Sequence, residues 1–129
     1  MTRAGSGELK VSGGGRTASA WWRWAGADLV VVVGGGTRPH VGSIVLALPR
    51  PSRADPARRS VTCSVLNVPP HKDEAVARDI ARKVATQLGC RAVVTAGIHE
   101  DGLGPDGVDG YLKLAQRLGD ELVRALNEE

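Results

Sequence analysis

Three side chains in this sequence combine titration near neutral pH with metal-binding capacity, and they are its only histidines. His40 sits in "TRPHVG", His71 in "VPPHKDE" and His99 in "TAGIHEDG", and each follows an apolar run. Three imidazoles could hold a divalent metal, most typically zinc, with a coordination position open to a ligand. Glu100 or Asp101 could add an oxygen, whereas magnesium or manganese would need more oxygen than this set offers. The spacing matches no compact motif such as H-E-x-x-H. A shared site therefore depends on the fold bringing three distant loops together, and isolated loop histidines that only orient backbone remain an alternative.

The neighbours of these histidines suit an anion. "GGGTRPH" offers the backbone N–H groups of Gly35 and Gly36, the Thr37 hydroxyl and Arg38. Lys72 stands where a helix begins, and helix N-termini attract phosphate through free N–H groups and the dipole. Arg16 follows a glycine turn. The glycine runs read equally well as plain tight turns. No G-x-G-x-x-G or Walker sequence occurs, which disfavours a standard dinucleotide or nucleotide triphosphate site. Nucleophile chemistry is disfavoured too: there is no G-x-S-x-G, and Cys63 and Ser64 fall inside an expected strand. No catalytic residue is assigned.

These residues must be positioned by their elements. "GELKVS" and "RTASAWWRWA" flank Gly13–Gly15 as a hairpin. "ADLVVVVGGG" predicts a buried strand near 27–33, and "VGSIVLALP" another near 41–48, ended by Pro49. "RPSRADPARR" is a loop, and "SVTCSVLN" alternates as a strand with unlike faces over 60–67. The period then changes. Val76, Ile80, Val84 and Leu88 recur every four residues, with Ala77, Ala81 and Ala85 beside them, predicting a helix over 73–88 closed by Gly89. "RAVVTAGI" is a strand over 91–98 and "DGLGPDG" a loop. Val108, Leu112, Ala115, Leu118, Leu122 and Leu126 mark a closing helix.

Five strands, a helix, a strand and a helix predict one α+β domain over 1–129, with residues 1–26 supplying the N-terminal strands. Its mixed, mostly antiparallel sheet has about six strands, with the helices covering one face. Residues 60–98 form a β-α-β unit whose strands should be parallel. If the strands meander, His40, His71 and His99 emerge at one edge with the Gly13–Gly15 turn and Arg16, while Arg53, Arg58 and Arg59 fall at the other. Carboxyl ends of parallel strands commonly carry ligand sites.

At chain level, 129 residues suit one core. Residues 1–60 hold nine Lys/Arg against three Asp/Glu, a basic half that suits a phosphate, a nucleic acid, an acidic partner or merely solvent. No apolar run nears the ~18 residues that span a bilayer, and no apolar leader opens the chain, so no membrane role is expected and the cytoplasm is the expected location. Cys63 and Cys90 fit reduced, small apolar roles there. In "WWRW", Trp22 and Trp24 share one strand face while Trp21 and Arg23 share the other. This suggests a core pair and a subunit contact in a homo-oligomer, and nucleic-acid stacking is set aside.

The stretches "GGGTRPHVGSIVLALPRPS", "SVTCSVLNVPPHKDEAVARDIARKVA" and "RAVVTAGIHEDG" together resemble the prenylated flavin chaperone family, LpdD-like proteins associated with gallate decarboxylase. The resemblance spans roughly residues 27–125. It implies a protein that binds prenylated FMN and helps deliver it to a UbiD-type decarboxylase, with no turnover of its own. A divalent metal held by His40, His71 and His99 would then bridge to the flavin phosphate, with Arg16, Arg38 and Lys72 as further phosphate partners and Gly35, Gly36, Thr37 and Glu100 beside them. Two rivals use the same residues differently. One is a metal-dependent enzyme with Glu100 as general base. The other is a structural decarboxylase subunit whose histidines only support loops.

Overall fold

A computed structural model of the chain describes residues 5–70 and 72–129. Eight elements follow in the order β1 (Ser6–Gly13), β2 (Arg16–Ala25), β3 (Asp28–Gly36), β4 (Ser43–Pro51), β5 (Arg59–Asn67), α1 (Glu74–Leu88), β6 (Ala92–His99) and α2 (Pro105–Asn127). The fold is α+β. All six strands form one mixed sheet in the order β1-β2-β3-β6-β4-β5, with both helices packed on one face: α2 lies against β1 and β2, and α1 against β4, β5 and β6.

Alternation along the strands builds the core. Val11, Ala18, Ala20, Trp22, Trp24, Leu29, Val31, Val33, Val45, Ala47, Val94 and Ala96 point to the helices and are buried. On α1 the four-residue recurrence meets them with Val76, Ile80 and Val84. Trp22 lies flat over β1, because a side chain at Gly7 would occupy the space of its ring. Trp24 donates its indole N–H to Glu129 at 2.8 Å, tying the C-terminus to the sheet.

The structure revises three expectations. Residues 60–98 do form β-α-β with both strands running the same way, but β4 lies between them. The parallel partner of β6 is β3, and β4 pairs antiparallel with both β5 and β6. Inserting β6 between β3 and β4 reverses no strand, so the edge at which each loop emerges is the expected one. Pro49 does not end β4, which pairs with β5 as far as Pro51↔Arg59. Beyond Ala47 the strand has β5 alone as neighbour, so a residue lacking an N–H breaks no ladder on the open side. Finally, α2 begins at Pro105, inside the expected loop, with the proline in its favoured first turn.

Candidate functional site

The site lies where β3, β6 and the start of α1 end together. After Gly36 the chain runs alongside the end of β6. Thr37 and Arg38 both donate their backbone N–H to His99 O, at 2.8 and 3.2 Å, and Gly42 N–H donates to Ala96 O at 3.0 Å. This corrects the expected glycine cradle: Gly34–Gly36 are ladder residues paired with β2 and β6. The N–H groups of Thr37 and Arg38 are spent on His99. The glycines serve close approach instead. A side chain at Gly97 would collide with His40 O, one at Gly42 with the Asp73 carboxylate, and one at Gly36, where φ is +74°, with His99 O.

Asp73 precedes α1 but does not cap it with its side chain. Its buried carboxylate accepts the backbone N–H of Ile98 at 3.0 Å and lies 3.3 Å from His40 Nε2. One carboxylate thus fastens the helix start to the end of β6 and to the β3–β4 loop. The other nitrogen of His40 bonds Arg38 O at 3.1 Å, and an N–H must be the donor there, since a carbonyl only accepts.

His99 is enclosed by charge. Lys72 Nζ, which can only donate, lies 3.1 Å from Nδ1, and the Asp101 carboxylate, which can only accept, faces Nε2; together they place the proton on Nε2, against the Arg38 guanidinium 2.9 Å from that nitrogen. Nε2 donates to Asp101 Oδ1 at 2.8 Å, and Arg38 donates to the same oxygen at 3.0 Å. The bond from His99, and then the charge of Arg38, hold the Asp101 carboxyl below the usual carboxylate range. Asp101 is itself exposed. Its oxygen occupies the point on which an imidazole N–H and a guanidinium converge.

Beside His99 opens a cleft of about 310 Å³ between the two helix starts, lined by Val76, Ile98, Leu103, Val108, Tyr111 and Leu112, with Lys72, Asp73, His99 and Glu100 along it. Val108 and Leu112, expected on the packed face of the last helix, stay exposed and wall this cleft, and Tyr111 and Leu114 are buried in their place. Tyr111 donates its hydroxyl to Glu100 at 2.6 Å. Burial, and next the Glu100 carboxylate, push its phenol up to about 12. Arg16 stands 3.8 Å from Glu100 with its guanidinium over the Tyr111 ring, behind the cleft wall.

The fold therefore gathers Arg38, His40, Lys72, His99 and Glu100 at one edge, with Arg16 one layer back. His71 lies outside the described residues, so the three-histidine arrangement is not seen whole. The His40 and His99 rings are edge to face with centroids 6.4 Å apart. Among the described residues no group of three His, Cys, Asp or Glu could hold a metal. Neither Asp73 nor Tyr111 is among the site residues expected from the sequence. Periodicity could not have exposed either, because each acts through a partner distant in the chain.

Over 74 residues the chain is 31% identical to Protein LpdD of Lactiplantibacillus plantarum, a match covering 57% of this chain and 51% of that protein. The matched stretch thus spans about half the length of that curated relative. In fold the chain is similar, with a TM-score of 0.67 at 13% identity, to a chain from a chaperone complex for yeast 20S proteasome assembly, covering 95% of this chain and 96% of that one. The model of the prenylated flavin chaperone LpdD-like domain matches residues 12–127. Nearly its whole length having been matched, the chain belongs to the LpdD-like prenylated flavin chaperones, a family of chaperones and not of enzymes.

Proposed function

We propose that this chain binds prenylated FMN at the cleft beside His99 and hands it, in the cytoplasm, to a UbiD-type decarboxylase. The observation that carries this reading is the junction of two surfaces. An apolar wall of Val76, Ile98, Leu103, Val108 and Leu112 adjoins a cation group that already grips a carboxylate. A flavin phosphate has the same need for convergent donors as Asp101 Oδ1, and Arg38 and His99 supply them, with Lys72 adjacent. The ring system would lie along the wall, where Glu100 and Tyr111 present the polar groups that orient it.

The metal is the finer part of the proposal. His40, His71 and His99 would hold a divalent ion that screens the phosphate charge. His40 Nε2 and Asp73 Oδ2, 3.3 Å apart, have a separation suited to two ligands of one ion with bonds of about 2.0 Å.

Anaerobic titration with reduced prenylated FMN, followed by flavin absorbance, tests the reading. Saturable, stoichiometric binding is expected. Arg38→Ala and His99→Ala should each weaken it about tenfold or more, the usual worth of a charge-assisted hydrogen bond. Removing Asp101 by Asp101→Ala should strengthen it, since the phosphate no longer competes with a carboxylate. Repeating the titration after chelation isolates the metal: unchanged affinity removes the ion from the proposal and leaves the flavin. Absence of flavin binding with and without divalent metal overturns the whole reading. Product formation by the chain alone would favour the metal-dependent enzyme instead.

A further inference from the structure

The sheet face opposite the helices is covered by no helix or strand among the described residues, only by Pro39 and His40 where they cross Gly34 and Gly97 at one end, and it is apolar where it should be polar. Cross-strand register lays out its rows. One runs Glu8, Trp21, Val32, Thr95, Ile44, Leu66, and the next runs Arg23, Val30, Val93, Leu46, Ser64. Trp21 is 37% exposed, Val30 40%, Val32 43%, Leu48 37% and Leu66 71%. Isolated apolar residues need no explanation, but a contiguous block across five strands does.

We infer that this face is the interface of a homodimer in which two sheets pack face to face, with the helices outside. Three observations favour a second copy as the occupant. The first is area. Six strands at about 4.8 Å spacing and about seven residues of length make a footprint of roughly 24 by 24 Å, near 600 Å² per copy before side-chain relief is counted. That approaches the ~800 Å² per partner of a standard interface. The second is anatomy. Valines of β3 and β6 and the isoleucine and leucines of β4 fill the centre. Glu8, Lys10 and Ser12 edge one side on β1, and Ser60, Thr62 and Ser64 edge the other on β5. An apolar centre inside a polar rim is the pattern of a packed interface.

The third is self-complementarity. The midline of the sheet falls between β3 and β6. A two-fold axis along the strands at that midline stacks β2 of one copy on β4 of the other. The large ring of Trp21 then meets Ile44 and Leu46, while the valines of β3 and β6 face each other across the axis. Such a contact is isologous and closes at two copies, unlike a head-to-tail contact that would grow into a fibre. Sheets packed in this way lie about 10 Å apart.

Sedimentation of the intact chain tests the inference. The wild type is expected at twice the 13.5 kDa chain mass. Val32→Asp, and separately Trp21→Asp, should sediment as monomers with far-UV dichroism unchanged, since both side chains already face water in the single chain. A wild type that stays monomeric at the highest attainable concentration overturns the inference, and so does a dimer that survives both substitutions. If either variant loses its dichroism, Val30→Lys with Leu46→Lys provides the same readout from neighbouring positions. Flavin titration plays no part in this test, so failure here leaves the cofactor reading untouched, and the reverse.

Discussion

At the scale of single residues, the site is arranged by charges that satisfy each other. Lys72 and Asp101 set the His99 tautomer against the pull of Arg38, and His99 and Arg38 together hold Asp101. Because the Asp101 carboxyl is depressed in the folded chain, its contribution to stability is present above its ordinary pKa of 3.8. That contribution is lost as pH falls through the lower folded value. Tyr111 allows a sharper test, because it is the chain's single tyrosine and its phenolate absorbance can be read alone. Titration should give a midpoint raised from 10.0 towards about 12. Glu100→Gln should bring it down only part of the way, because burial is the larger cause. A midpoint at the ordinary value would show that the phenol is open to water. The sign follows for stability: the unfolded chain loses this proton first, so stability falls as pH rises from about 10 towards 12.

At the scale of elements, the loop carrying Arg38 and His40 is held by contact between backbones. Gly97 on β6 leaves room for His40 O, and Gly42 leaves room for Asp73. Gly97→Ala should therefore act on both stability and site. The added methyl meets a carbonyl, which cannot rotate aside as a side-chain end can. The 37–42 segment must shift, at a cost of about 1–3 kcal/mol in chemical denaturation. Flavin affinity should fall with it, because Arg38 moves off its place beside His99. A variant of unchanged stability would mean that the loop is looser than the contacts imply. The helix starts matter in the same way. Asp73 joins α1 to β6, and α2 begins early enough, at Pro105, for Val108, Tyr111 and Leu112 to wall the cleft.

At the scale of the whole molecule, the sheet separates two surfaces. One face carries the helices and the cleft between their starts, and the other carries the open valine block. Among the described residues no helix is long and apolar enough to cross a membrane. Val32 lines no part of the cleft, so Val32→Asp is expected to titrate with flavin like the wild type even as a monomer. A parallel loss of flavin binding in that variant would show that the cleft is completed by the second copy.

Much of this was legible before any coordinates. Hydrophobic period alone separated strands from helices, because one-sided burial forces a repeat of two in a strand and near four in a helix. It set Trp22 and Trp24 on one face of β2 and Trp21 on the other, and only the fold decided that the Trp22 and Trp24 face turns inward. Strand direction needed only the count of reversals, and so the edge shared by Arg38, His40, Lys72 and His99 could be foreseen. Neighbour order within the sheet could not: β6 enters between β3 and β4 through pairings that no local pattern encodes. Nor could the use of the glycines, Asp73 or Tyr111 be foreseen. Backbone N–H groups that look free in "GGGTRPH" are engaged by a carbonyl sixty residues away, and the partners of Asp73 and Tyr111 are likewise remote. Periodicity reports which face a residue turns, because burial is a property of each element. Which groups meet across that face depends on packing between elements, and only the folded chain settles it.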